Sequence, residues 1–537
     1  MDRPDVIVVG AGGGGPVVAR ELAERGVRVL MLEAGPWLDP DRDFTRVEDD
    51  MSSIVTGKLR WGPADRSRPP WMRRRDGAGL VLQSAGVGGT TLHYNGISPR
   101  AYMTSFGEGR WPFPYQELIP HYERVEAFLP VHLVSDLATK DALFAAGCEK
   151  VGLVRSETKD VETEMWRPCH NAILPIAKME PGVAPRYPEV DGCTMCGHCL
   201  QGCPNPVGAP LERKAKRATN VSYVPAALAT GNCEIVPNAF ATAVLFEEGG
   251  SGGRAGRARG VRWRDTTSGQ EHEARAAVVV LAGGSIENPR LWLNSGLPNS
   301  SDAVGRYLTT HLQDLVLGLF DQEVNPDVGQ VTMARADFPG YGTLFSQGMG
   351  PQAFGIVLVG GGRGWWDDPT GDEPWDTAGK GWGPRAVERM GEYHRSLCVT
   401  ISTNDDGVAE NRVTLADDWP ADEHGPVPKV VYHPTGRSQE RQDWLARKGA
   451  EILRAAGARE VHRALLQPLL THIMSTMRMG TDPATSVVDA TGESHEVERL
   501  FVGDSSVIPT VGGANPTLTA QALAARTAEH IAGTYFS

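Results

Sequence analysis

One short segment constrains this chain more than any other. Four branched apolar residues, Val6-Ile-Val-Val9, run directly into Gly10-Ala-Gly-Gly-Gly-Gly15. Val17, Val18 and Leu22 follow at helical spacing, and a second apolar strand, Val27–Leu32, ends on Glu33. Strands buried on both faces read as unbroken apolar runs, and two such strands joined through a helix make a parallel βαβ unit. Within Gly10-x-Gly12-x-x-Gly15, Gly10 permits the tight turn, Gly12 lets the backbone approach a pyrophosphate, and Gly15 lets helix pack on strand. The helix N-terminus turns its free N–H groups and positive dipole toward the anion. Glu33, at the end of the second strand, is placed to accept from ribose hydroxyls. The residues leave FAD and NAD open, and the acid at Glu33 disfavours NADP.

The chain is too long for that unit alone. At 537 residues it has room for two to four domains, and 41% hydrophobic residues spread along it suffice for a large core. The formal charge of −13 argues against a nucleic-acid partner, which calls for a basic footprint. No apolar run approaches the roughly 20 residues of a membrane span. Polar Met1–Pro4 leads straight into the first strand, and scattered Cys148, Cys169, Cys233 and Cys398 show no secreted disulfide rhythm. A cytoplasmic location is therefore expected.

Further along, a helix is expected over Tyr115–Phe128, and strands over Glu234–Phe246 and Gly260–Trp263 flank a turn at Gly249–Gly256. A buried strand, Ala276–Leu281, enters a helix at Asn288–Asn294. Alternating strands and polar loops follow from about Leu312 to Leu469, and a final helix covers Thr517–Ile531.

Several of these segments together resemble the glucose–methanol–choline (GMC) family of FAD-dependent oxidoreductases. Gly88-Gly89-Thr-Thr-Leu-His-Tyr-Asn95 is similar to the family's second glycine motif, and Trp111-Pro-Phe-Pro-Tyr115 to a further family segment. Ala282-Gly-Gly-Ser-Ile-Glu-Asn-Pro-Arg290 resembles its internal signature, with Val304-Gly-Arg-Tyr-Leu308 and His311 after it. The tail is the most specific part. His472-Ile-Met-Ser-Thr-Met-Arg-Met-Gly480, Val502-Gly-Asp504 and Gly513-Ala-Asn515-Pro-Thr-Leu-Thr519 stand in family order. About two-thirds of the chain takes part in the match, and Gln313–Pro468 stays unmatched in detail.

The resemblance implies an α/β fold: a Rossmann-like FAD domain from residues 1–105, 205–311 and 470–537, a Cys-rich cap at 106–204, and a sheet-based α+β substrate domain at 312–469. It implies oxidation of a CH–OH group in a sugar, glycoside, polyol or other alcohol, with hydride passing to flavin N5. His472 matches the proton acceptor, and Asn515 the second active-site position, whose amide donates to the substrate oxygen. Gly10, Gly12, Gly15, Glu33, Gly88, Gly89, His93, Asn95, Asp504, Pro516 and Thr517 are the implied FAD contacts. Some sugar-oxidising relatives bond a histidine near His93 covalently to the flavin, although Leu92-His93-Tyr94 matches their run only in part.

Cys193-x2-Cys196-x2-Cys199-x3-Cys203-Pro204 has the spacing of a bacterial ferredoxin run, and an iron–sulfur cluster is the leading expectation. Zinc, disulfides or a relic without metal are the alternatives. A cluster would make the enzyme a dehydrogenase passing electrons to an acceptor protein or quinone. Without one, oxygen is the expected acceptor. A non-catalytic electron-transfer subunit is the rival reading. Arg213-Lys-Ala-Lys-Arg217 is expected as a solvated basic face, or as an attractor of an acidic partner. Trp365, Trp366, Trp375 and Trp382 are candidates for a lid or a buried anchor.

Overall fold

A computed structural model describes residues 3–44, 59–77, 79–175, 187–359, 383–464 and 469–537. The four tryptophans just named lie outside the described residues.

Strand Val6–Val9, fully buried, sits at the centre of a five-stranded parallel sheet. The strand order is Leu500–Val502, Val278–Leu281, Val6–Val9, Val29–Leu32, Cys233–Val236. Both ends and the middle of the chain therefore build one dinucleotide-type sheet. Helix Gly15–Ala23 crosses over it and packs against the long terminal helix Thr517–Tyr535. The apolar stretch expected as one strand over Glu234–Phe246 is divided at Asn238, which takes φ +59°. Cys233–Val236 joins the parallel sheet, while Ala239–Glu248 pairs with Gly256–Asp265 in the expected hairpin.

The second sheet is antiparallel throughout. Its order is Glu460–Ala464, His311–Leu319, Ser396–Asn404, Gly342–Gln347, Ala334–Phe338, Met165–Pro168. The last strand comes from the stretch expected as a cap. One face packs on helix Gly436–Ala456, which alternating strands and loops did not foretell. Its apolar residues are few but fall in one stripe, with Leu445, Ala446, Gly449, Ala450, Ile452 and Leu453 buried. Thr435 caps its start by accepting from the Ser438 N–H. Strand alternation then divides the sheet's work. Val316 faces the helix in a core with Val399 and Leu445, while Gln313 and Leu315 face a cavity beside the first sheet.

The glycine turn leaves no slack. A Cβ on Gly14 would lie 2.1 Å from the Gly503 carbonyl oxygen, whereas one on Gly13 would meet only the Thr91 methyl at 3.7 Å. Gly14→Ala is expected to cost about 1–3 kcal/mol of stability or more through overpacking against backbone. Gly13→Ala in the same loop is expected to change stability little. Thermal unfolding of the two variants side by side checks this, and an equal loss would contradict it.

Candidate active site

A cavity of about 460 Å³ reaches from the Gly10 turn past Gly283 and Gly284 to His472, Asn515 and the face of the second sheet that is turned away from helix Gly436–Ala456. Gly12, Gly89, Glu33, His93, Asn95, Asp504, Pro516 and Thr517 all line it, so distant motifs converge on one space. Gly10, at φ +105°, makes the turn out of the first strand. Gly15 lies behind the cavity, packed against the Gly10 carbonyl, as the packing role requires. Gly88, at φ +110°, starts the 3-10 turn Gly89–Leu92.

Two carboxylates expected to touch a cofactor are first of all clamps. Glu33 accepts from the backbone N–H groups of Ala11 and Gly35, each at 2.9 Å, and of Gly86 at 3.0 Å. Asp504 accepts from Gly284 N at 2.7 Å, from Asn288 Nδ2 at 2.9 Å, and from the backbone and hydroxyl of Ser506. Burial raises the pKa of both, and these hydrogen bonds work against the rise. Asn95 reaches the second sheet, donating to Thr332 Oγ1 at 3.0 Å and Gln347 Oε1 at 3.2 Å.

At the cavity's other end, His472 stands between two side chains. Its Nε2 is 3.3 Å from Asn515 Nδ2, and its Nδ1 is 3.1 Å from His311 Nδ1. Asn515 Oδ1 accepts from Arg335 at 3.3 Å. Arg335 also bonds Asp337, which Tyr102 Oη and Arg167 Nε reach at 2.6 and 2.8 Å. Burial, with Arg335 adding repulsion, holds the His472 imidazole at about 4, so the ring is neutral near pH 7. His93 is likewise pushed to about 4 by burial and by the Lys216 ammonium, and its Nε2 has no hydrogen-bond partner among the described residues.

Arg335, Asp337 and Tyr102 escape sequence reasoning because only cross-strand register brings them to the site. His311 stands in a quoted motif, but nothing in sequence shows that it meets His472. The aromatic group at the opposite end, where Phe240 stacks on His424 at 3.8 Å with Trp61 beside it, was equally hidden.

The cysteine run needs correcting. Cys193, Cys196, Cys199 and Cys203 do converge, but on a cavity of about 10 Å³, room for one water at most and none for an iron–sulfur cube. All four are free thiols, and no group of three or more His, Cys, Asp or Glu among the described residues is arranged to hold a metal ion. Burial lifts the Cys199 thiol to about 12 and raises Cys193 and Cys203 as well. The basic stretch is neither a solvated face nor a docking patch. Lys214 and Lys216 are buried, and Lys216 donates to the carbonyls of Leu92, Tyr94 and Cys199, tying the cysteine loop to the turn that carries His93. Carbonyl-lined sites of this kind satisfy an ammonium without water.

The residues present fit FAD. A glycine cradle meets backbone so closely that a Cβ on Gly89 would lie 2.6 Å from Gly12 Cα. An unpartnered buried ring nitrogen and a neutral base stand at the far end of the same cavity. Fold and cavity together define a dinucleotide-binding α/β oxidoreductase. GMC oxidoreductase family models match residues 168–313 and 408–524. The chain belongs to the GMC oxidoreductases, FAD-dependent enzymes that act on CH–OH donors. It is 27% identical over 579 residues to a 2-methyl-1,2-propanediol dehydrogenase of Mycolicibacterium austroafricanum, covering 99% of this chain and 95% of that one. It is 28% identical to a 6'''-hydroxyparomomycin C oxidase of Streptomyces lividus, covering 98% and 91%. Its fold matches the crystal structure of pyridoxine 4-oxidase from Mesorbium loti with a TM-score of 0.65 at 17% identity, over 99% and 100% of the two chains. No described helix is long and apolar enough to cross a membrane.

Histidines held neutral by burial make stability depend on acid. In the unfolded chain His93 and His472 take up protons near pH 6.5, and in the folded protein only near 4. Their contribution is complete above about 6.5 and is lost as pH falls toward 4, by roughly 3 kcal/mol each at most. The thermal midpoint is expected to fall through that window, and to fall less steeply in His93→Gln. A midpoint flat from pH 7 to 4.5 would contradict the assignment.

Proposed function

We propose that this enzyme oxidises an uncharged alcohol with a largely apolar body, and that His472 takes the hydroxyl proton. Bound FAD supplies the acceptor for the hydride. Gly10, Gly12, Gly89, Glu33, Asp504 and the helix start at Pro516 and Thr517 are the residues assigned to hold it, together with the aromatic group around Phe240. His472 offers the Nε2 lone pair, and Asn515 has a second amide N–H with which to fix the substrate oxygen.

The observation that carries the substrate class is the lining next to this pair. Leu315, Thr400 and Phe345 stand in one cross-strand row of the second sheet, since Thr400 pairs with both of the others. Gln313 and Gln347 flank the row, and Val331, Met349, Ala353 and Val357 complete the wall. No Asp, Glu, Lys or Arg on this wall lines the cavity among the described residues. The charged lining residues, Glu33, Glu287, Arg290 and Asp504, all belong to the first domain's end. A cationic aminoglycoside would lose its hydration here without gaining a carboxylate, a cost of several kcal/mol. A diol or monoalcohol loses little, because Gln313, Gln347 and Thr400 offer hydrogen bonds for a second hydroxyl. The two relatives are similar to the chain to the same degree, and of them the 2-methyl-1,2-propanediol dehydrogenase is the one whose named substrate suits this wall. The acceptor is taken to be external, and the eight free thiols support a reducing, cytoplasmic setting.

Anaerobic bleaching of the holoenzyme against aliphatic alcohols, 1,2-diols, sugars and aminoglycosides tests the class. Diols and apolar alcohols should bleach, while aminoglycosides should not at comparable concentration. His472→Gln is expected to slow bleaching about 10²–10⁴-fold with cofactor retained. Full bleaching in that variant would remove the base. Peroxide production under air against dye reduction without it then identifies the acceptor.

A further inference from the structure

We propose that Arg335 and His311 are positioning residues that lock His472 into one tautomer, with the proton on Nδ1 and the lone pair on Nε2 facing the substrate. The inference deepens the proposed function and rests on His472 being the proton acceptor.

The argument starts from what each group is able to do. A guanidinium only donates. Arg335 Nη1, 3.3 Å from Asn515 Oδ1, therefore requires the oxygen of that amide on its side, and the amide cannot be reversed without setting N–H against N–H. Asn515 Nδ2 is thereby turned to His472 Nε2, which must accept and so carries no proton. The His472 proton then sits on Nδ1 and is donated to His311 Nδ1 at 3.1 Å. His311 must accept there, which leaves its own proton on Nε2, a buried atom with no partner among the described residues. The rings meet at 89°, an edge-on approach that suits a hydrogen bond in the plane of one of them.

A single donor at one end thus sets every role along a chain of four side chains. The chain is anchored because Arg335 is itself held by Asp337, which is fully buried and shared with Arg167 and Tyr102. Neither Arg335 nor His311 lines the cavity, so neither touches substrate. When substrate enters, its hydroxyl replaces the long Asn515–His472 contact. The O–H proton passes to Nε2, and the resulting imidazolium still donates from Nδ1 to His311.

The test reads the tautomer directly. Holoenzyme labelled with 15N-histidine is measured at neutral pH, and the His472 signals are identified as those lost in His472→Gln. A proton-coupled Nδ1 and an unprotonated, low-field Nε2 are expected. A proton on Nε2, or averaging of the two nitrogens, would overturn the proposal. Arg335→Met removes the donor while leaving Asp337 paired with Arg167 and Tyr102. It is expected to average the two nitrogens and to slow bleaching about tenfold, whereas Arg335→Lys retains the wild-type pattern. If Arg335→Met fails to fold, the wild-type spectrum still decides the question. A correct tautomer in a protein that no alcohol bleaches would sink the proposed function and leave the lock standing; bleaching with the wrong tautomer would do the reverse.

Discussion

The dinucleotide half of this enzyme depends on two buried carboxylates. Glycine turns offer no side chains to pack and lose the most conformational freedom on folding, so they do not assemble by themselves. Glu33 joins the turn at Ala11 to Gly35 and Gly86, and Asp504 joins Gly284 and Asn288 to its own turn at Ser506. Each anion is surrounded by N–H donors whose carbonyl partners would otherwise be hard to supply in a tight turn. The cost of burying the charge, visible in the raised pKa of both groups, is met by bonds that also place the cradle. Removing either acid would free several backbone donors at once, which is why their structural task precedes any contact with a ribose or phosphate.

Those features were legible because they are local. The strand before Gly10, the helix after Gly15 and the acid at Glu33 all lie within one βαβ unit, where spacing in sequence is nearly spacing in space. The tail was legible for a different reason: a long exact string such as Gly513 to Thr519 identifies a family even where its geometry cannot be derived. The second sheet gave no such hold. Its strands pair residues as far apart in sequence as Met165 and Asp337, and a change of one place in register would turn Arg335 from Asn515 to the opposite face. The helix Gly436–Ala456 was hidden by its composition, since small and apolar residues interspersed with many charges read as a polar loop until the common stripe of the buried ones is seen.

The cysteine run marks the limit of spacing as a guide. Close spacing brings four thiols together, as it did here, but it is silent on the volume they enclose and on what else enters. Lys216 occupies the ground beside Cys199 and Cys203 and holds the carbonyls on either side of His93. The loop's packing is thereby joined to the wall of the cofactor cavity, and burial keeps Cys193, Cys199 and Cys203 as protonated thiols. A basic pentapeptide and a ferredoxin-like motif thus act as parts of one structural staple.

At the substrate end the electrostatics rest on an imbalance. Arg167 and Arg335 share one carboxylate, Asp337, leaving a surplus positive charge in a buried site whose neighbouring wall carries no charge of its own. Burial first, and this surplus after it, disfavour an imidazolium at His472, so the ring stays neutral down to about pH 4. On the proposed reading the surplus also favours negative charge on a substrate oxygen held by Asn515, and that charge would grow as the hydroxyl proton departs. The same guanidinium therefore weakens the base and strengthens the acid it must deprotonate. On the proposed reading Arg335 tilts the equilibrium through the substrate as well as through the histidine, and it keeps that influence because its carboxylate partner, Asp337, is shared with Arg167.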